Sequence, residues 1–220
     1  YCRWETIHES HFAEALLRDE AKVEDYLLYD RFKDLVKNEL ELMEEHPFGT
    51  VLFIGSGPFP ITAIFLHMYT GKVIDCLEID QGAANISNSI LAKIGLQDKI
   101  RIHVGNGCSY DLSQYDVILN ALLAKPKVGI LQNIRKTNKN ARLLCRTSYG
   151  LRKLVYEPTP VNVTMGFIQL GTQIANKGFT ISTLFLINKT IVTDKLTFKW
   201  LPTINDADIA NLSHMLTDPI

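Results

Sequence analysis

Cysteine is scarce in this chain, neither sign of charge is in excess, and no long apolar run is present; each shortage removes a class of protein. The 4 cysteines, Cys2, Cys76, Cys108 and Cys145, are dispersed, so neither a zinc-ligand spacing nor a disulfide framework can be drawn from them. Cys76 and Cys145 fall inside predicted strands and are expected as buried thiols. Lys and Arg total 23 against 24 Asp and Glu, a net charge of −1, and without a basic run this argues against a nucleic-acid partner gripped through its phosphates. No apolar stretch approaches a membrane span, and the first residues have neither a basic n-region nor an apolar h-region. A soluble, cytoplasmic protein without a membrane partner is therefore expected. His8 and His11 are three apart on a predicted helix, but no third ligand lies near them, so no metal is implied. The start at Tyr1 without a methionine carries the expectation of a longer parent protein.

What is present is enough apolar residue for one full core: 46% of 220 residues. Apolar residues at helical spacing, among them Phe12, Leu16, Leu28, Phe32, Leu35 and Val36, predict helices over 5–17 and 23–43. The acidic stretch from Glu39 to Glu45 is expected to be a solvated helix end. His46-Pro-Phe-Gly-Thr50 breaks the pattern. The expected division is a helical section over 1–47, a main domain over 48–190 and a C-terminal extension over 191–220.

The most informative stretch is Val51-Leu-Phe-Ile-Gly-Ser-Gly-Pro-Phe-Pro60 followed by Val73-Ile-Asp-Cys-Leu-Glu-Ile-Asp80. Val51 to Ile54 run without alternation into a glycine turn, as in a parallel strand buried on both faces. Gly55 and Gly57 are expected to let backbone N–H groups approach a ligand. A helix over 61–69 ends near Gly71, and the strand after it carries Glu78, placed to accept hydrogen bonds from ribose hydroxyls. The third glycine of the dinucleotide fingerprint is missing, and Pro58 and Pro60 stiffen the turn instead. Further βα units follow: a helix over 83–94, strands over 100–104, 115–123 and 142–146, a helix over 128–135 and a sixth strand over 179–187. A strand over 196–200 and a helix over 205–216 are expected in the last section. This alternation predicts an α/β, Rossmann-like fold with a doubly wound, mostly parallel sheet, makes 48–190 a cofactor-binding domain, and puts Gly55, Glu78, Asn106, Asn120 and Arg146 on one rim at the carboxyl ends of the strands.

A glycine turn, an acid on the second strand and a small polar residue after the third together resemble an S-adenosylmethionine-dependent transferase fold. Three stretches narrow the likeness: Phe53-Ile-Gly-Ser-Gly-Pro-Phe-Pro60, Asn120-Ala-Leu-Leu-Ala-Lys-Pro-Lys127 and Arg146-Thr-Ser-Tyr-Gly-Leu-Arg-Lys-Leu-Val-Tyr156. They resemble the nicotianamine synthase family over about Glu9 to Lys189. The resemblance implies S-adenosylmethionine as co-substrate, with transfer of its aminocarboxypropyl arm to an amine, leaving methylthioadenosine and a metal-chelating product. The implied partner is a small amino-acid acceptor; related bacterial enzymes use histidine, and a homo-oligomer is compatible with the sequence. The cofactor-binding residues carried over are Gly55, Ser56, Gly57, Pro58, Glu78, Asn106 near the adenine, Asn120 and Ala121.

The attacking amine must lose a proton, so a carboxylate base is required near its nitrogen. Glu9-Ser-His-Phe resembles the family's Glu-Ala-His-Tyr helix, which makes Glu9 that base and places His11 near the acceptor. The tyrosine that partners this glutamate in the family falls at Phe32, and Tyr29, one helical turn earlier, is the candidate to replace it. Arg146, ahead of Arg152, is the candidate to clamp a carboxylate of the acceptor or the arm, the alternative being a salt bridge at the strand end. His67 and His103 are expected to be structural, and Tyr156 to pack. Two other functions fit the same fold: a small-molecule methyltransferase and a catalytically silent S-adenosylmethionine-binding protein.

Overall fold

A computed structural model describes residues 2–160, 164–174 and 181–189, with side chains from Trp4 onward. Val51–Ile54 forms β1, buried at all 4 positions, and pairs in parallel with β2 (Ile74–Glu78) on one side and β4 (Val117–Asn120) on the other. Its unbroken apolar run is explained by this central place: both faces of the strand are covered by helices. With β3 (Ile100–Val104), β5 (Arg142–Thr147), β6 (Phe167–Gln173) and β7 (Ser182–Asn188) the sheet has 7 strands in the order β3-β2-β1-β4-β5-β7-β6. The first five run parallel, and β7 and β6 are antiparallel to their neighbours. The chain leaves β1 toward β2 and returns to β4 on its other flank, so the crevice opens at the carboxyl end of β1, where strand order reverses.

Helices α3 (Ile61–Thr70), α4 (Gln81–Lys93) and α5 (Lys127–Thr137) are the crossovers, each shaped by local signals. Gly71 ends α3 in the left-handed conformation at φ 66°, and Asp80 caps α4 by accepting a hydrogen bond from the Ala83 amide at 2.7 Å. The front section adds Phe12, Ala13 and Leu16 from α1 (Cys2–Leu17), Val36 from α2 (Tyr29–Glu41), and Tyr26 and Met43 from the segments before and after α2 to the same core as β1 and α3.

Several expectations are corrected. The helix predicted over 23–43 is broken: a 3-10 turn spans Val23–Asp25, Tyr26 is extended at ψ 122°, and α2 starts only at Tyr29. Asp25 accepts the Lys22 amide at 2.8 Å, a local bond that competes with a continuing helix. The strand predicted over 115–123 shortens to Val117–Asn120, because Asp116 turns its carboxylate to the amides of Gly49 and Thr50. Strand β6 was not expected: only its first residue is fully buried and it shows no alternation. The predicted sixth strand is β7, Ser182–Asn188; Phe179, at its expected start, and the elements expected over 196–200 and 205–216 lie outside the described residues.

Candidate active site

The loops at the carboxyl ends of β1, β2, β3 and β4 enclose a cavity of about 640 Å³. Gly55, Gly57, Pro58, Glu78 and Asn106 line it together with Asp80, Ile86, Ile130 and Lys125. Gly55 and Gly57 have φ values of 83° and 68°, which glycine alone adopts without strain. The space freed at each is taken by protein. A Cβ on Gly55 would lie 2.8 Å from that of Ala124, and one on Gly57 would overlap Oε1 of Glu9.

Glu78 holds this turn. Its Oε2 accepts the Gly57 amide at 2.8 Å, and its Oε1 accepts the amides of Ile79 at 2.9 Å and Asp80 at 3.0 Å. A carboxylate has about four lone-pair positions, so Glu78 keeps acceptor capacity toward the cavity it lines. Asn106 spends its Oδ1 on the Cys108 amide at 2.9 Å, which leaves its NH₂ group as the donor for a ligand.

Glu9 reaches from α1 across the turn, accepting the Phe59 amide through Oε1 at 3.2 Å. It lines both the large cavity and a second one of about 90 Å³ behind it. Burial pushes its carboxyl up to about 8, with the charges of Glu78 and Glu5 acting in the same direction and the Phe59 amide opposing. A carboxyl with that affinity can take and return a proton near neutrality.

The smaller cavity is walled by Tyr26, Phe32, Phe53 and Phe59, with Glu5, Ser56, Thr62, Ala121 and Arg146 among its polar and small residues. Arg146 is 2% exposed. Its Nε and Nη2 donate to Oε1 and Oε2 of Glu39 at 2.9 Å each, and its Nη1 donates to Thr62 Oγ1 at 3.0 Å. The rings of Phe32 and Phe53 lie 5.7 and 5.6 Å from its guanidinium carbon. Glu39 is 0% exposed and also accepts from Thr183 Oγ1 at 2.7 Å, so the solvated helix end expected at this residue is corrected to a buried ion pair. Beside it, Glu5 Oε1 accepts from the Tyr156 hydroxyl at 2.6 Å and from Arg31 Nη1 at 3.1 Å.

The family model described as nicotianamine synthase protein matches residues 2–193. The chain belongs to the nicotianamine synthase family. Over 147 residues it is 24% identical to an L-histidine 2-aminobutanoyltransferase of Yersinia pestis, spanning 67% of this chain and 55% of that one. Over 141 residues it is 27% identical to nicotianamine synthase 2 of Arabidopsis thaliana, spanning 58% and 44%. The chain thus spans about half the length of these curated relatives. Among solved structures, MtNAS in complex with MTA and tNA is similar, with a TM-score of 0.77 and 25% identity over 84% of this chain and 71% of that one. A mitomycin 7-O-methyltransferase shares the fold at a TM-score of 0.55 and 15% identity.

Within this family frame the expected site residues separate. Glu9, Gly55, Gly57, Pro58, Glu78 and Asn106 meet at the large cavity, while Ser56, Ala121 and Arg146 line the small one. Asn120 lines neither: it is fully buried, with Nδ2 donating to Ala121 O at 3.3 Å. Tyr29 is corrected as the substitute for the missing tyrosine, since its ring packs edge-on against Phe65 at 5.0 Å and borders neither cavity. The hydroxyl at that wall belongs to Tyr26, which the break before α2 turns inward; the Glu9 and Glu5 charges, after burial, hold it un-ionised. His11 is exposed and borders neither cavity. His67 and His103 bond Lys72 O at 2.7 Å and Asp75 Oδ1 at 3.2 Å.

Glu5, Tyr26, Arg31 and Glu39 were missed in the sequence. Glu5 had a signal, its place four residues before Glu9 on one helix; Glu39 had none, because a glutamate in an amphipathic helix reads as solvated. Among the described residues no helix is long and apolar enough to cross a membrane, and no group of three or more His, Cys, Asp or Glu is placed to hold a metal.

Proposed function

We propose that this chain transfers the aminocarboxypropyl group of S-adenosylmethionine to the nitrogen of a small amine; the family to which it belongs is named for nicotianamine synthesis, and one relative is by name a 2-aminobutanoyltransferase acting on L-histidine. The observation that carries the reading is Glu9, a carboxyl with raised proton affinity at the junction of a large and a small cavity. The large cavity takes the adenosine part: Glu78 accepts from the ribose, the NH₂ of Asn106 donates to the adenine, and Ile86 and Ile130 supply apolar walls. The N–H groups of Arg146 left over from Glu39 and Thr62 meet the carboxylate of the transferred arm.

The acceptor arrives as an ammonium, and Glu9 takes one proton from it. The freed nitrogen lone pair attacks the arm's terminal carbon as the carbon–sulfur bond breaks. That bond's electron pair stays on sulfur, so neutral methylthioadenosine leaves without needing a proton. Which of the three carbons on the sulfonium reacts depends on which is held in line, so positioning by the two cavities decides between this transfer and methylation.

Mass spectrometry of the chain incubated with S-adenosylmethionine and candidate amines tests the reading. Methylthioadenosine with an acceptor heavier by one aminocarboxypropyl unit is expected, and Glu9→Gln is expected to lower kcat by roughly 10²-fold to 10⁴-fold while S-adenosylmethionine still binds. The rate should climb about tenfold per pH unit below pH 8 and level off above it. S-adenosylhomocysteine as the product would replace this reading with methyl transfer.

A further inference from the structure

Glu9 rides on a stretch of α1 that has one buried anchor. From Trp4 to His11 only Glu5 is buried, and Phe12, Ala13 and Leu16 fix the helix to the core farther along. Glu5 stands four residues before Glu9, so the two carboxyls share a helix face, and both line the small cavity.

The anchor is a closed triangle of hydrogen bonds drawn from three parts of the chain. Tyr156, beyond β5, donates its hydroxyl to Glu5 Oε1 at 2.6 Å. Arg31 on α2 donates from Nη1 to the same oxygen at 3.1 Å and from Nη2 to the Tyr156 hydroxyl at 3.4 Å. Such charge-assisted bonds have direction, which apolar contact lacks, so they fix the rotation and height of the first turns of α1 and with them the place of the Glu9 carboxyl. An apolar side chain could be buried there equally well; a carboxylate adds a charge.

That charge has a receiver. Arg31 and Tyr156 border neither cavity, whereas Glu5 and Glu9 both line the small one, so the countercharge stands away from the space the two carboxyls share. The other titratable and charged groups that share a cavity with Glu9 are Glu78 and Asp80 at the end of β2, Lys125 after β4, Tyr26 before α2 and Arg146 on β5. Lys125 is paired with Glu157 at 2.7 Å and Arg146 with Glu39 at 2.9 Å. Burial raises the proton affinity of Glu9 most, and the charges of Glu78 and Glu5 raise it further.

We infer that Glu5 is a positioning residue for the transfer: fixed by Tyr156 and Arg31, it holds Glu9 at the junction of the two cavities, and its charge makes Glu9 a stronger base. This rests on the transferase reading, in which Glu9 takes the proton of the acceptor, and deepens it.

The pH profile of kcat, with a direct titration of Glu9, tests the inference. Glu5→Gln keeps an oxygen for Tyr156 and Arg31 but removes the charge, so the midpoint of the profile is expected to fall from about 8 by roughly half to one pH unit. At pH 7 the rate of this variant, relative to its own plateau, should then rise roughly two- to fivefold. Tyr156→Phe keeps both charges and loosens the anchor; its plateau kcat should fall about tenfold, with the midpoint and the KM for S-adenosylmethionine unchanged. A role confined to packing α1 would lower the stability of both variants and leave both midpoints at about 8, and that result would overturn the inference, as would an equal displacement in the two. Should Glu5→Gln not fold, Glu5→Gln with Arg31→Gln removes both charges of the pair and carries the same expectation. Carbon-13 NMR of the glutamate carboxyls, with Glu9→Gln to assign the resonance, follows the Glu9 proton without turnover. If the chain makes S-adenosylhomocysteine or no product, the transferase reading fails by itself, and the NMR titration still decides the charge: a lower midpoint in Glu5→Gln supports it and an unchanged one overturns it.

Discussion

Replacing Glu9 with glutamine should alter the pH dependence of folding stability, whatever the reaction turns out to be. In the folded chain the Glu9 carboxyl is pushed from 4.5 to about 8, chiefly by burial. The native state therefore binds this proton more tightly than the unfolded chain does. The resulting stabilisation is complete below pH 4.5 and drains away as pH rises through 8, where a charged Glu9 must be held at the junction of the two cavities. The full displacement corresponds to about 5 kcal/mol. Both cavities admit water around the carboxylate, which raises the effective dielectric, and roughly 2 kcal/mol is the measurable part. Glutamine keeps the shape and can still accept the Phe59 amide, so the variant lacks the titration and little else. Urea unfolding of both proteins at pH 5 and pH 8.5, without ligand, compares them directly. The expected result is near-equal stability at pH 5 and a variant more stable by roughly 2 kcal/mol at pH 8.5. Parallel pH profiles would refute the reasoning, because they would mean that Glu9 titrates as an ordinary surface carboxyl.

The buried ion pair behind the small cavity allows a double-mutant test. Arg146→Met alone leaves Glu39 buried without a counter-charge and should cost about 3–5 kcal/mol in urea unfolding, whereas Arg146→Met with Glu39→Leu should recover most of that loss. Two glycines with similar backbone angles should respond differently to alanine. Gly57→Ala drives a Cβ into Glu9 at φ 68° and is expected to abolish turnover and cost about 2 kcal/mol or more, while Gly71→Ala, at φ 66° in open space, should cost about 1 kcal/mol and leave turnover intact. Thermal unfolding and methylthioadenosine release on both variants check the pair.

Much of the fold was legible because its signals are local. An apolar run ending in two glycines, an acid one strand later and a repeating βα period depend only on neighbours in the chain, and β1 and β3 were located to the residue. Strand β6 was not legible, because an edge strand half open to solvent needs no apolar alternation and its pairing with β7 is a long-range event. The break between residues 23 and 29 was hidden for a related reason: helical spacing continued through it, and the local Lys22–Asp25 bond gains a reason only when Tyr26 enters the Phe12–Phe59 aromatic cluster.

The sequence alone determined the family, the α/β architecture and Glu9 as the base to test, since motif spacing survives without knowledge of packing. Only the tertiary structure decided what surrounds that base. Glu39 meets Arg146 across 107 positions of chain and Glu5 meets Tyr156 across 151. Those meetings decide which charges in the small cavity are already balanced. Opposite charges distant in sequence give no local signal, and their compensation appears only when the fold removes them from water together.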